Sequence, residues 1–471
     1  MSFNTELSTQ YARQPALLVD NSLLNNQEFV ETAEELKIYL HGLNLDWTRD
    51  LGFILHNRLF YSPHMLRAPL DLETISLCPK HKHDLWFSSD VQLGGALYSL
   101  ESLLFPHSPQ KPPSITSQEL FSHVEGGNML STGDTLILGS DSAFVSALRL
   151  LADQPPYLCE GVRNTIEAIS QRDDWDEAIQ IAFNQIETYQ LDSINEQLSD
   201  FARKAELESY GIPAVLTALV EFTKVEAAAE FRRVMGHEQV LWTPDELGLK
   251  ARQMQYHLDL YMANIAYNTV LLDDPKEVIS ACDHALQKIS QFTPICFKKL
   301  NDYKNLVRNT IISQNVNYQK ELSRLYDITT SSEQPFINEI ATICRVQAIA
   351  EIFDLCLKKD YEKIKKDLTN AGIKVITVPG NWYDLEHIDF TISRTHCFIN
   401  GITHQATNSW LTFQYDDQEN FRHQAFTDKI ANYVKNIFYI EGGNDELLFG
   451  AGLRCMTLPF EINPNYLPER S

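Results

Sequence analysis

An α/β fold is predicted by two compositions that alternate along the chain. Short runs of β-branched and aromatic residues, bounded by Gly, Asn, Asp or Pro, read as strands and turns. Between them lie longer Ala/Glu/Leu-rich stretches whose apolar residues recur every three or four positions, the period of a helix. The strand-like runs are small and spaced so that helices fall between them, which suggests repeated β-rich units.

In chain order, Gly52-Phe53-Ile54-Leu55 and Leu59-Phe60-Tyr61 open the strand series, and Thr135-Leu136-Ile137-Leu138-Gly139 follows a Gly133-Asp134 turn. Residues 160–235 then read as helical, with Val215, Leu219, Phe222, Val225 and Ala229 at three- and four-residue intervals. Thr269-Val270-Leu271-Leu272 is a strand that leaves through Asp273-Asp274-Pro275. Residues 275–368 are helical again, and Ile279, Cys282, Ala285, Leu286 and Ile289 mark one buried face. Tyr361, Ile364 and Leu368 lead to a turn at Asn370-Ala371-Gly372, after which Ile373–Val378 and Trp410-Leu411-Thr412-Phe413 are strands. The simplest division is a β-rich body holding 1–274 and 369–471, expanded by helices around 160–235 and interrupted by a helical insertion at 275–368. A single continuous α/β domain with an unusually helical surface is the alternative.

The chain has 471 residues, enough to bury a substantial core. Its 39 basic and 63 acidic residues leave a formal charge of −24, against a nonspecific nucleic-acid surface and compatible with a small cationic substrate. No apolar run reaches the ~18 residues of a membrane span, and no basic segment followed by an apolar stretch opens the chain. The eight cysteines form no C-x-x-C pair, and reduced thiols and a cytoplasmic location are expected. Export without a cleaved signal stays open. No nicotinamide, flavin or phosphate-loop motif is present, so no cofactor and no metal is expected. Oligomeric state is left undetermined.

Four segments carry candidate chemistry. In Asp46-Trp47-Thr48-Arg49-Asp50 the two carboxylates share a side whether the segment is helical or extended. Paired carboxylates suit a guanidinium, whose delocalised charge and several N–H donors match them. Arg49 could organise one of them or bind a substrate carboxylate; a surface turn with a local ion pair is the plainer reading. In His123-Val124-Glu125-Gly126-Gly127-Asn128 two glycines remove bulk beside Glu125 and let a ligand or strand pass close by. The same tetrapeptide recurs as Glu441-Gly442-Gly443-Asn444. In His257-Leu258-Asp259 an extended backbone points the imidazole and the carboxylate the same way. His387-Ile388-Asp389 repeats that spacing and is the rival acid/base pair. Finally, Gly450-Ala451-Gly452-Leu453-Arg454-Cys455-Met456-Thr457 sets a thiol among small residues beside an arginine that could assist electrostatically or contact substrate.

Together these segments resemble the guanidino-group-modifying superfamily of arginine and agmatine deiminases, dimethylarginine hydrolases and amidinotransferases. Their chain order matches, and Gly452-Leu453-Arg454-Cys455-Met456-Thr457 is most similar to arginine deiminases. Gly450-Ala451-Gly452 replaces the more usual consecutive glycines. The resemblance implies a five-bladed α/β propeller, with Cys455 as nucleophile and His257 as general acid/base oriented by Glu125. It implies Asp50 and Asp259 as guanidinium anchors, and Asp46, Arg49 and Arg454 as further substrate-binding candidates. Asn128 would shape the glycine turn. The partner is then a small guanidine-containing cation or a protein-bound arginine. The reaction is deimination to a ureido product and ammonia, or amidino transfer through the same covalent intermediate. A papain-like cysteine hydrolase would use thiol and histidine without the carboxylates, and a non-catalytic interaction module on this scaffold is the reading outside enzymology.

Overall fold

The computed structural model describes residues 14–20, 22–43, 53–55, 58–61, 116–122, 126–188, 192–248, 258–292, 305, 335–383, 394–414, 421–441 and 452–462. Five sheets among them share one strand order. A central strand pairs antiparallel with one neighbour and parallel with the other. β1 (Gln14–Asp20) runs parallel to β2 (Tyr39–Leu43) and antiparallel to β17 (Thr457–Ile462). β4 (Arg58–Tyr61) lies between β3 (Phe53–Leu55) and β5 (Thr116–Glu119), and β7 (Thr135–Gly139) between β6 (Met129–Thr132) and β8 (Gln239–Thr243). β10 (Thr269–Asp273) lies between β9 (Met262–Ala266) and β11 (Lys374–Val378), and β15 (Ser409–Phe413) between β14 (Ile402–His404) and β16 (Asn436–Ile440). The remaining strands, β12 (Asn381–Tyr383) and β13 (Arg394–Cys397), pair antiparallel with each other.

Antiparallel neighbours can be joined by a tight turn, whereas parallel neighbours need a crossover. The sequence supplies both devices repeatedly. Tight turns follow β6, β9 and β14, and each has one residue in the left-handed region: Gly133 (φ +57°), Asn268 (φ +48°) and Asn408 (φ +51°). Glycine and asparagine tolerate that conformation best. Among the described residues, the crossovers of four of the five sheets contain helices. α1 (Gln27–Glu35) joins β1 to β2, with the Asn26 side chain accepting from the Phe29 N–H at 3.0 Å as its N-cap. Between β7 and β8 run α2 (Ser140–Asp153), α3 (Leu158–Ile169), α4 (Trp175–Thr188), α5 (Asp192–Lys204) and α6 (Ile212–Met235). Between β10 and β11 run α7 (Pro275–Phe292) and α8 (Pro335–Asn370), so these two helices fall between hydrogen-bonded strands; α9 (Phe421–Ile430) lies between β15 and β16. None of the described helices is long and apolar enough to cross a membrane.

The burial pattern repeats with the topology. Every residue of β7, β10 and β15 is buried, whereas β8, β11 and β16 each start exposed and end buried. Central strands covered on both faces need near-continuous apolar runs, as Thr-Leu-Ile-Leu-Gly and Thr-Val-Leu-Leu-Asp supply.

The chain divides into two compact units, Met1–Leu260 with Leu453–Ser471, and Tyr261–Gly452. In the first, Leu136 and Leu138 of β7 pack with Phe144, Leu148, Val162, Ile166, Phe201, Leu219 and Phe231 from α2, α3, α5 and α6. The first half of α6 is buried nearly all round. Past Phe222 only one side is covered, by Thr223, Ala227, Ala228, Glu230 and Phe231. Val225 (66% exposed) and Ala229 therefore face water although they continue the interval of Val215 and Leu219. Within α6, the buried Lys224 ammonium donates to Glu221 Oε1 at 2.6 Å and to the Glu246 carbonyl at 2.6 Å, which ties the 244–248 loop to the helix.

In the second unit Trp382, Phe398, Trp410, Phe413 and Phe426 are fully buried. The β14–β15 turn is closed by His404, whose Nδ1 lies 2.7 Å from Thr407 Oγ1, itself 2.8 Å from Ser409 Oγ. Among the described residues His404 Nε2 has no hydrogen-bond partner, and burial lowers the imidazole pKa below the ordinary 6.5. The unfolded chain then takes up a proton that the folded chain resists. The stability contribution is complete above pH 6.5 and is lost as pH falls from there through the lower value of the folded state. Urea midpoints followed downward from neutral pH should therefore drop more steeply in the wild type than in His404→Gln; parallel curves would show that this imidazole is not the group responsible.

Candidate active site

Cys455 lies in the turn Leu453–Met456 that delivers the chain into β17. Hydrogen bonds within the turn and from β1 hold it, among them the Thr457 N–H donating to the Arg454 carbonyl at 3.2 Å. The Thr457 hydroxyl is 3.0 Å from the Leu453 carbonyl and 3.2 Å from that of Arg454, and the Asp20 N–H donates to the Met456 carbonyl at 3.0 Å. Since β17 pairs with β1 from Val19↔Thr457 to Gln14↔Ile462, sheet register fixes where the thiol emerges. Cys455 is 2% exposed.

Its sulfur faces Asp259, which is 196 positions earlier in the chain. Cys455 Sγ lies 3.8 Å from Asp259 Oδ2, a thiol-to-carboxylate hydrogen bond at sulfur length. Asp259 is 1% exposed and sits in the one-turn helix Leu258–Leu260 that precedes β9. Arg454 completes the cluster. Its Nε is 3.9 Å from the same Asp259 oxygen and its Nη2 donates to the Met129 carbonyl at 3.4 Å. With its side chain only 12% exposed, desolvation pulls the Arg454 pKa below its ordinary value, opposed by the charges of Asp259 and then of Cys455.

Met129 starts β6 directly after the short helix Gly126–Asn128, and that helix packs against Leu258–Leu260. Asn128 is structural. Its Nδ2 donates to Ser142 Oγ at 2.9 Å, and its amide lies over Gly139, where an added Cβ would come within 1.9 Å of Asn128 Oδ1. Only glycine at the end of β7 admits that approach. A second close approach lies within the other unit, where a Cβ on Gly452 would lie 2.5 Å from the Asn400 side chain.

Of the residues singled out from sequence, the structure thus brings Cys455, Arg454 and Asp259 together. His257 and Glu125 adjoin the described turns at Leu258 and Gly126 but lie outside the described residues, as do Asp46, Arg49, Asp50, His387 and Asp389. Sequence reasoning missed the Met129 carbonyl and the Thr457 hydroxyl. A backbone acceptor leaves no signature in residue types, and Thr457 was visible only as part of the cysteine motif. Chemically, the cluster offers a buried thiol next to a buried carboxylate, with a desolvated guanidinium alongside: a nucleophile, an anionic anchor and a fixed cation.

No family model matches the chain, and no curated protein matches it. Solved structures resemble it loosely. The agmatine deiminase of C. jejuni superposes with a TM-score of 0.39 at 10% identity, covering 96% of this chain and 94% of that one. The putative arginine deiminase of Porphyromonas gingivalis gives 0.38 at 11% identity (96% and 96%), and the agmatine deiminase of Enterococcus faecalis 0.36 at 11% (95% and 93%). Superpositions this loose settle neither fold nor chemistry.

Proposed function

We propose that the protein is a cysteine-dependent hydrolase acting on a guanidinium group, built as a five-bladed α/β propeller from the repeated sheet unit. The observation that supports this most is the 3.8 Å approach of the Cys455 sulfur to Asp259. A carboxylate at that distance from a nucleophile can hold a cationic carbon within attacking range, which is worth more than either group alone. In this reading the helices at 160–235 and 275–368 elaborate the crossovers of two blades.

Cys455 as thiolate adds to the guanidinium carbon while Asp259 and Asp50 bind its N–H groups, with Asp46 and Arg49 at the margin. A new S–C bond forms; the tetrahedral adduct collapses by breaking a C–N bond, and His257, oriented by Glu125, protonates the departing nitrogen. Water then adds to the covalent thiouronium, giving its proton to His257, and the S–C bond breaks to release a ureido product. With ammonia as the leaving group this is deimination, and an arginine substrate gives a citrulline. Capture of the intermediate by an amine would instead be amidino transfer.

Screening arginine, agmatine, methylated arginine and arginine-bearing peptides, with ammonia and released amine measured separately, tests the reading. Ammonia with a matching ureido product is expected from at least one of them. Peptide-bond cleavage with no guanidine consumed would replace this mechanism by a papain-like one. On the substrate so found, His257→Ala is expected to lower kcat by at least ~100-fold, and His387→Ala far less. The reverse order would move the acid/base role to the His387–Asp389 pair.

A further inference from the structure

We infer that Arg454 is a positioning residue that holds the Cys455–Asp259 pair together, and that it does not contact substrate. This rests on Cys455 being the attacking group. The guanidinium is turned inward, donating to the Met129 carbonyl at 3.4 Å and approaching Asp259 Oδ2 at 3.9 Å. One side chain thereby links three turns from distant parts of the chain: the end of the Gly126–Asn128 helix, the Leu258–Leu260 turn and the cysteine turn itself. Asp259 accepts from the thiol through the same oxygen that Arg454 approaches, so the carboxylate is shared between the internal cation and the sulfur.

That sharing has a consequence for the thiol. A carboxylate at 3.8 Å opposes formation of a thiolate beside it, and a fixed guanidinium adjacent to both opposes that effect. Among the described residues, the ionisable groups on the turns that meet here include Asp259, Arg454 itself and Asp20. Asp20 bonds to Met456 through its backbone, and its carboxylate accepts from the Ser22 N–H at 2.6 Å. With Arg454 in place, a substrate cation meets a carboxylate that already has a counter-charge. Asp259 then recognises the substrate by direction of hydrogen bonding more than by net charge.

Thiolate absorbance in the ultraviolet, measured against pH and corrected by subtracting Cys455→Ser, reads the Cys455 sulfur free of the other seven of the eight cysteines. Arg454→Met should raise the titration midpoint by about one unit or more, leaving roughly tenfold less thiolate at neutral pH. Arg454→Lys, which keeps the charge, should stay close to the wild type. Should Arg454→Met fail to fold, Asp259→Asn and the double variant Arg454→Met/Asp259→Asn read the same shift, with the double variant expected to titrate higher. Coincident titrations in both comparisons overturn the inference; a side chain that only contacts substrate would raise KM and leave the thiol unmoved. The measurement needs no substrate. A chain that shows the shift but turns over no guanidine sinks the proposed reaction, whereas turnover with an unmoved thiol sinks the role of Arg454 alone.

Discussion

Cys455→Ser is expected to lower guanidine turnover by about 10³-fold or more with little change in folding. The serine hydroxyl fits the same buried position, although at the 3.8 Å or more that separates it from Asp259 Oδ2 it makes no direct hydrogen bond there. The bonds that hold the turn, from the Asp20 N–H to the Met456 carbonyl and from the Thr457 hydroxyl to the Leu453 and Arg454 carbonyls, do not involve the replaced atom. What is lost is nucleophilicity: a hydroxyl ionises far above neutral pH, and no covalent intermediate forms at a useful rate. Steady-state turnover together with mass spectrometry of a trapped adduct would check both halves. Retention of most activity would move the chemistry to another thiol. Cys282 and Cys344 are buried in α7 and α8, where packing accounts for them.

How much of this was legible in the sequence depends on how local its cause is. The strands read at 135–139, 269–272 and 410–413 were legible because a strand covered on both faces must be largely apolar, and that needs no knowledge of its neighbours. Of the helical face Ile279, Cys282, Ala285, Leu286 and Ile289, readable in the same way, the last four are buried and Ile279 is half-buried. Pairing was not. Nothing in Gln14–Asp20 announces that its antiparallel partner is Thr457–Ile462, at the opposite end of the chain. Nor does a 3.6-residue period say where a helix passes from full to one-sided cover, which is why Val225 is exposed. At the site, residue type and spacing drew attention to Cys455 and Asp259, whereas the tie from Arg454 to the Met129 carbonyl could come only from coordinates.

Asp273 shows the same limit with the largest energetic consequence. Sequence places it in an exit turn, where a carboxylate would ordinarily be wet. In the structure it ends β10 completely buried, and four donors converge on it. Its Oδ1 accepts from the N–H groups of Gly380 and Asn381 at 2.9 Å each; its Oδ2 accepts from Asn381 Nδ2 at 2.9 Å and from the Tyr361 hydroxyl at 3.3 Å. One carboxylate thus joins β10, α8 and the bend between β11 and β12. Truncation to Asp273→Ala strands those donors away from water, and each buried group left without an acceptor costs about 1–3 kcal/mol. Even with partial relaxation the variant should lose about 3–5 kcal/mol. Asp273→Asn keeps one accepting oxygen but turns an NH₂ toward existing donors, so it should fall between the two. Urea unfolding followed by tryptophan fluorescence is suited to the measurement, since Trp382 and Trp410 are fully buried in this unit. An Asp273→Ala midpoint equal to that of the wild type would mean that water replaces the carboxylate at no cost and that the bend at Gly380-Asn381 is held by its packing against Ile399 instead.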